Sequence, residues 1–303
     1  IEEIEDIIGI DVGGTSIKWG RADSNGKMIA FGKVPTEREN PRGVLTKIAN
    51  IVAVQEGVTK IGLSFPGMVA PDGSLTTSGS IEGLEGTPLR AEIEELTGLP
   101  TAVVNDAHSA GQAERWVGAG ADCDNFVCMT IGTGIGGAVF INGELYRGFR
   151  GAAGELSLSV LGIGTTSEEM TATLAARTGS GVIGLARIYA EEAGLPADYS
   201  DTWEILRLAE EGDPIAVSAT DQFFGGLTSV MVNVLTFLDP ERILLGGGVS
   251  ERPGFVEEAS KRLAERIQNH PYLDHSYVPE LRACERGNEA GVLGAIYTAQ
   301  TTL

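Results

Sequence analysis

One short pattern occurs twice in this chain, and the repetition restricts the fold more than any other feature. The apolar run "IIGID" (7–11) leads into Gly13-Gly14-Thr15, and the residues after it, Ser16 to Gly20, alternate as a second strand does. Past residue 120 the pattern returns: "NFVCMTI" (125–131), then Gly132-Thr133-Gly134, then "IGGAVFI" (135–141). Each hairpin is followed by an Asn-Gly pair, at 25–26 and 142–143, which marks a further tight hairpin turn. A dinucleotide fingerprint is excluded, because its glycines open a helix rather than a second strand.

Between the two hairpins the pattern predicts strands near 7–12, 15–22 and 27–34, a helix near 43–56, a strand at 60–65, a helix from Pro88 to Gly98, a strand at 101–105 and a helix from Asp106 to about Val117. That order is βββαβαβα. The second half starts with the same three strands, the third being "ELYRG" (144–148), and then carries a helical insert. Thr166 and Glu169 suit a capping box, and a long helix opens on Asp213-Pro214 and closes at Asp239-Pro240. A strand at 242–247, a helix at 254–267, a strand at 276–281 and a helix at 288–300 complete it. The expected architecture is therefore α/β, with two related domains and a ligand cleft between them. The first spans 1–118, completed by the C-terminal helix 288–303; the second spans 119–287 and contains the helical insert.

A glycine turn between two strands presents backbone N–H groups with no side chain in the way, a concave nest for phosphate oxygens. Two such turns suit a polyphosphate, and Asp11 at the end of the first strand suits a hydrated Mg²⁺. One such turn alone reads more readily as a plain hairpin; the second one at the equivalent place favours the nest. Composition narrows the partners. The formal charge of −20 repels nucleic acid and anionic membrane surfaces. No apolar stretch reaches the roughly 20 residues of a membrane span, and no signal peptide opens the chain, so a cytoplasmic location is expected. Three cysteines (123, 128 and 284) without C-x-x-C spacing suggest neither a disulfide framework nor a four-cysteine metal site.

With these motifs in place, the chain resembles the ROK sugar kinases of the actin, Hsp70 and sugar kinase superfamily over essentially its whole length. "GIDVGGTSIKWG" is similar to the first phosphate motif, "TIGTGIGGAVFINGELYRG" to the second, "ILLGGGVS" to the adenosine-side turn and "VVNDAHSAGQAE" to the segment with the catalytic aspartate. The resemblance implies two actin-like (ribonuclease H-like) domains and an ATP- and Mg²⁺-dependent carbohydrate kinase acting on a hexose, amino sugar or β-glucoside, with the 6-hydroxyl as acceptor. It implies Asp106 as general base, with Asn105, Glu155, Gly67 and Ser80 on the sugar. It places Asp11, Gly13, Gly14, Thr15, Lys18, Gly132, Thr133, Gly134, Gly246, Gly247 and Gly248 around the nucleotide, with Asp11 toward Mg²⁺ through water. A homodimer follows from the family's habit alone. From local sequence, Asp106 reads equally as a helix N-cap; the flanking motifs favour catalysis.

The departures from the family pattern bear on the substrate. Most members continue from the glutamate into a Gly-His pair and a cysteine-rich zinc loop. Here the histidine position falls at Leu158, and 156–179 contains no cysteine, so no zinc is expected. The segment would instead be held by a helix from Thr166 packing Met170, Leu174 and Ala175. The asparagine that many members carry after the Pro-Gly segment is replaced near Gly79-Ser80. The zinc-less β-glucoside kinases resemble this region better than typical glucokinases do. His108, two residues past the expected base, reads as a solvated helix residue in preference to a group supporting the base, and Trp19 and Trp116 read as packing residues. Three other readings stay open or are set aside: a sugar-binding regulator without kinase activity, a kinase using polyphosphate, and a repressor, for which a strand starting by residue 7 leaves no DNA-binding domain.

Overall fold

The computed structural model describes residues 6–162, 166 and 181–303. Among these residues ten strands form two five-stranded sheets, ordered β3-β2-β1-β4-β5 and β10-β9-β6-β7-β8. Read from the hairpin edge, the second sheet repeats the first, strand for strand. The repeat visible in the sequence is thus a repeat of topology.

In the first sheet, β1 (Ile7–Val12), β2 (Ser16–Ala22) and β3 (Met28–Pro35) form the antiparallel meander. β4 (Lys60–Phe65) and β5 (Thr101–Asn105) add in parallel beside β1. Asn25-Gly26 makes its turn as expected: Gly26 takes φ +73°, and Lys27 N donates to the Asp23 carboxylate at 2.9 Å. Side chains alternate across the sheet. Ile8, Ile10, Leu63 and Phe65 pack beneath α1 (Pro41–Ala53) and α2 (Leu89–Thr97), while Ile7, Ala22 and Ala102 face the other way onto α8 (Ala290–Thr302) and its neighbours. Termination signals work locally. Asn40 caps α1 ahead of Pro41, and Gly98 closes α2 at φ +71°. α3 (Asp106–Val117) follows β5 without a linker and lies against α8, where the Trp116 and Tyr297 rings stack with centroids 5.5 Å apart.

The second sheet contains β6 (Phe126–Ile131), β7 (Ile135–Ile141), β8 (Glu144–Tyr146), β9 (Arg242–Gly246) and β10 (Glu280–Ala283). Asn142 and Gly143 both take positive φ between β7 and β8, the conformation a two-residue hairpin requires. The insert contributes α4 (Val182–Ala193), α5 (Thr202–Glu210) and α6 (Pro214–Leu238), the last capped by Asp213 and closed by Asp239. α7 (Phe255–Gln268) follows β9, and Phe223, Phe224 and Phe255 form an aromatic cluster between α6 and α7. One strand departs from expectation. Residues 275–277 form a 3₁₀ turn, and β10 begins only at Glu280, because Pro279 has no N–H to give a ladder. Of the capped helix expected from Thr166, only Thr166 itself is described; Glu169, Met170, Leu174 and Ala175 lie outside the described residues.

The chain divides into two compact units. One comprises the residues up to Asp124 with Ala138–Ala153 and Glu285–Leu303; the other comprises Asn125–Gly137 and Gly154–Cys284.

Candidate functional site

Asp11 sits at the end of β1, beside Ser64 in the parallel register of β4. Ser64 Oγ donates to its Oδ1 at 2.8 Å, and Lys18 Nζ stands 3.8 Å from Oδ2. Burial pushes the Asp11 carboxyl above its ordinary range, while the serine bond and the lysine charge oppose that rise. Among the described residues no group of three metal-type side chains exists. A hydrated Mg²⁺ does not need one, since it keeps most of its waters and takes one or two carboxylates together with phosphate oxygens. A single carboxylate with one oxygen already oriented and a lysine beside it suits such an ion with its anionic ligand.

The turn that follows is tighter than a simple nest. Gly13 N donates to Ser16 O at 2.9 Å, and Thr36 Oγ1 donates to Gly13 O at 2.6 Å. The first glycine is therefore occupied inside the turn, leaving Gly14 and Thr15 at its tip. Ser80, expected near the sugar, lies against this tip: a Cβ on Gly14 would come within 3.1 Å of its hydroxyl. The second turn uses its first glycine in the same way, with Gly132 N donating to Gly134 O at 2.9 Å. It is stapled by Ser157, whose hydroxyl accepts from Ile135 N at 2.7 Å. Sequence reasoning passed over Ser157 and Ser64; the signal available for Ser64 was a lone hydroxyl in the otherwise apolar "KIGLSF".

Asn105 and Asp106 divide the work that the sequence left ambiguous. The Asn105 side-chain oxygen accepts from Ala107 N at 2.9 Å and His108 N at 3.0 Å, so Asn105 is the N-cap of α3. Its amide nitrogen donates to Gly67 O at 2.7 Å, which leaves one amide hydrogen for a ligand. Gly67 can be nothing else: its φ is +97°, and a Cβ there would meet the Thr77 backbone. Asp106 is then the first helical residue, exposed, with Oδ1 near its neighbour's N–H. Capping, the plain alternative for Asp106, is performed by Asn105.

His108 corrects the sequence reading. It is buried, not solvated, because α3 is enclosed on nearly every side, and its Nε2 lies 2.8 Å from Ala153 O. A carbonyl only accepts, so Nε2 carries the proton. Burial holds the ring below its ordinary value, the Ala153 contact opposes this, and Arg147 adds to it.

Glu155 opens a short 3₁₀ turn (Leu156–Leu158), and burial raises its carboxyl. Leu158, at the histidine position of the family pattern, is half exposed. In the same unit, Gly247 takes φ +92°, a Cβ there would strike the Ile131 carbonyl, and Ser250 Oγ donates to Gly247 O at 2.7 Å. Beside this turn a cavity of about 350 Å³ is lined by Thr220, Phe224, Arg252, Phe255 and Arg262. The Thr220 hydroxyl is buried there and has no partner among the described residues.

The ROK family model matches residues 7–302. A β-glucoside kinase of Listeria monocytogenes is 33% identical over 292 residues, 96% of either chain. Among solved structures, a ROK hexokinase from Thermus thermophilus superposes with a TM-score of 0.82 at 30% identity, covering 97% of this chain and 98% of that one. A ROK family glucokinase from Streptomyces griseus, solved with glucose and AMPPNP, gives 0.80 at 25% identity over 99% of this chain and 100% of that one. The chain belongs to the ROK family. Its class within that family is that of the sugar kinases, and its two sheets are those of the α/β actin-like fold.

Proposed function

We propose that the protein transfers the γ-phosphate of ATP to a sugar hydroxyl, the 6-hydroxyl of a β-glucoside, with Asp106 as general base. The observation that carries this reading is the division between Asn105 and Asp106. One caps the helix, and the other is left exposed at its start, where a carboxylate can accept a proton from an acceptor hydroxyl. Phosphoryl transfer asks little covalent chemistry of the protein, so alignment and charge neutralisation carry most of the rate. Asn105, through its remaining amide hydrogen, Glu155 and the Gly67–Ser80 segment orient the sugar. Gly14, Thr15 and Lys18 receive phosphate oxygens, as do Thr133 and Gly134. Asp11, through water, holds Mg²⁺, which when bound neutralises phosphate charge. The nucleoside lies by the Gly246–Gly248 turn, with the buried Thr220 hydroxyl as a nearby contact. By family resemblance the protein acts in the cytoplasm as a homodimer, which light scattering on the purified protein tests.

The β-glucoside is favoured over free glucose because Leu158 stands where an imidazole would bond the sugar. An unpaired hydroxyl facing it costs about 1–3 kcal/mol, whereas an apolar or glycosidic substituent at the C1 or C2 end does not. A coupled ADP-release assay over glucose, N-acetylated hexosamines, salicin, arbutin and cellobiose tests this, with ATP and polyphosphate as alternative donors. Faster turnover with a β-glucoside and ATP is expected. Glucose as best substrate, or polyphosphate as best donor, contradicts the assignment.

A further inference from the structure

We infer that Gly291, the second residue of α8, is a positioning residue for the Asp11 carboxylate. This rests on the reading of Asp11 as the group that serves Mg²⁺ and nucleotide. A Cβ built on Gly291 would lie 2.5 Å from both carboxylate oxygens of Asp11, a separation that Cβ atoms do not show. The missing side chain is what allows the carboxylate to rest against the first turn of α8. Ser64 Oγ holds the same carboxylate from β4 at 2.8 Å, and Lys18 stands 3.8 Å away on β2. Asp11 is thus fixed by a strand neighbour, a cation and a helix that enters from 280 residues further along the chain.

If a methyl group were added at 291, either the helix or the carboxylate would have to move, and the helix is the stiffer of the two. α8 meets its neighbours backbone to backbone at three glycines. A Cβ on Gly9 of β1 would strike the Val292 carbonyl, one on Gly62 of β4 the Ala295 carbonyl, and one on Gly294 the Ser109 carbonyl of α3. Ser109 Oγ also donates to the Gly291 carbonyl at 2.8 Å. At these three points backbone meets backbone and cannot be compressed, so the added volume displaces the Asp11 side chain, which has two soft torsions. Alanine also favours a helix over glycine, so the fold loses nothing through propensity. The first turn of α8 further supplies a positive helix end toward the carboxylate.

The test compares Gly291→Ala, Gly294→Ala, Ser64→Ala and Asp11→Asn in the full-length protein. Each is titrated with Mn²⁺ and AMPPNP by calorimetry and followed by thermal melting and by the Mg²⁺ dependence of turnover. Misplacing a reacting group by about 1 Å costs as much as 10²-fold. Gly291→Ala is therefore expected to weaken Mn²⁺-dependent nucleotide binding by roughly tenfold or more. Its melting temperature should stay near that of the wild type, and its affinity for the sugar alone should not change. Ser64→Ala moves the same carboxylate from the opposite side without adding volume and should shift the metal dependence in the same direction. Gly294→Ala, whose Cβ would strike the Ser109 carbonyl of α3, should lower the melting temperature. Wild-type metal dependence in Gly291→Ala, or a melting loss as large as that of Gly294→Ala, overturns the inference. Unchanged metal dependence in Asp11→Asn would instead overturn the reading of Asp11 on which it rests.

Discussion

Asn105 joins two segments that the sequence separates by 38 residues: its amide nitrogen donates to the Gly67 carbonyl at 2.7 Å while its oxygen caps α3. The side chain therefore orients the start of the base-bearing helix and the strained Gly67 turn together. Asn105→Asp separates these roles, because a carboxylate caps a helix as well as an amide does but cannot donate to a carbonyl. Helix stability should survive, while KM for the sugar rises and KM for ATP does not. Steady-state kinetics with each substrate varied in turn checks this; equal effects on both substrates would speak against it.

Glu114, near the other end of α3, is fully buried and accepts three backbone N–H groups. These come from Ala119 at 2.8 Å, Glu285 at 2.9 Å and Arg286 at 2.8 Å. Glu114→Ala leaves all three donors unsatisfied, each worth about 1–3 kcal/mol, so a loss of at least about 3 kcal/mol is expected. Urea denaturation measures it. Glu114→Gln, which keeps one acceptor oxygen, should fall between the two.

His108 makes stability depend on pH in a definite direction. Its folded pKa lies below the unfolded value of about 6.5, so the unfolded chain takes up a proton first as the solution is acidified. The contribution is complete above the unfolded value and is lost as pH falls toward the folded one. Melting temperatures from neutral pH to pH 5 should decline more steeply for the wild type than for His108→Gln. Parallel curves would show that the His108 pKa does not fall on folding.

Much of the fold could be read in advance because its punctuation is local. Gly98, Asn25-Gly26, Asn142-Gly143 and the Asp-Pro pair at 213–214 each act within a few residues of where they stand. The duplicated hairpins then determined the order of both sheets. What escaped was long-range. The burial of His108 depends on Ala153, the partner of Ser64 on β1 follows from strand register, and Ser109 meets Gly291 across 182 residues. None of these pairings leaves a local pattern. The strand start at Glu280 was misplaced for a different reason: alternation was followed through Pro279, which cannot donate.

Removing metal should separate catalysis from folding. With no cysteine between residues 156 and 179, the segment after Glu155 has no thiolate set for zinc. EDTA is expected to stop turnover and leave the melting temperature within error, and Mg²⁺ alone should restore activity. Elemental analysis that found stoichiometric zinc in the purified protein would contradict this.

The central claim, that Asp106 is the base of a sugar kinase and not a helix cap, is tested most directly by the turnover number of Asp106→Asn. The substitution is nearly isosteric, and the cap it might have disturbed belongs to Asn105. Loss of a general base typically costs about 10²–10⁴ in rate. Sugar-dependent ADP release should fall within that range, with nucleotide affinity and melting temperature close to those of the wild type. A variant that retained more than about a tenth of wild-type turnover would contradict the account.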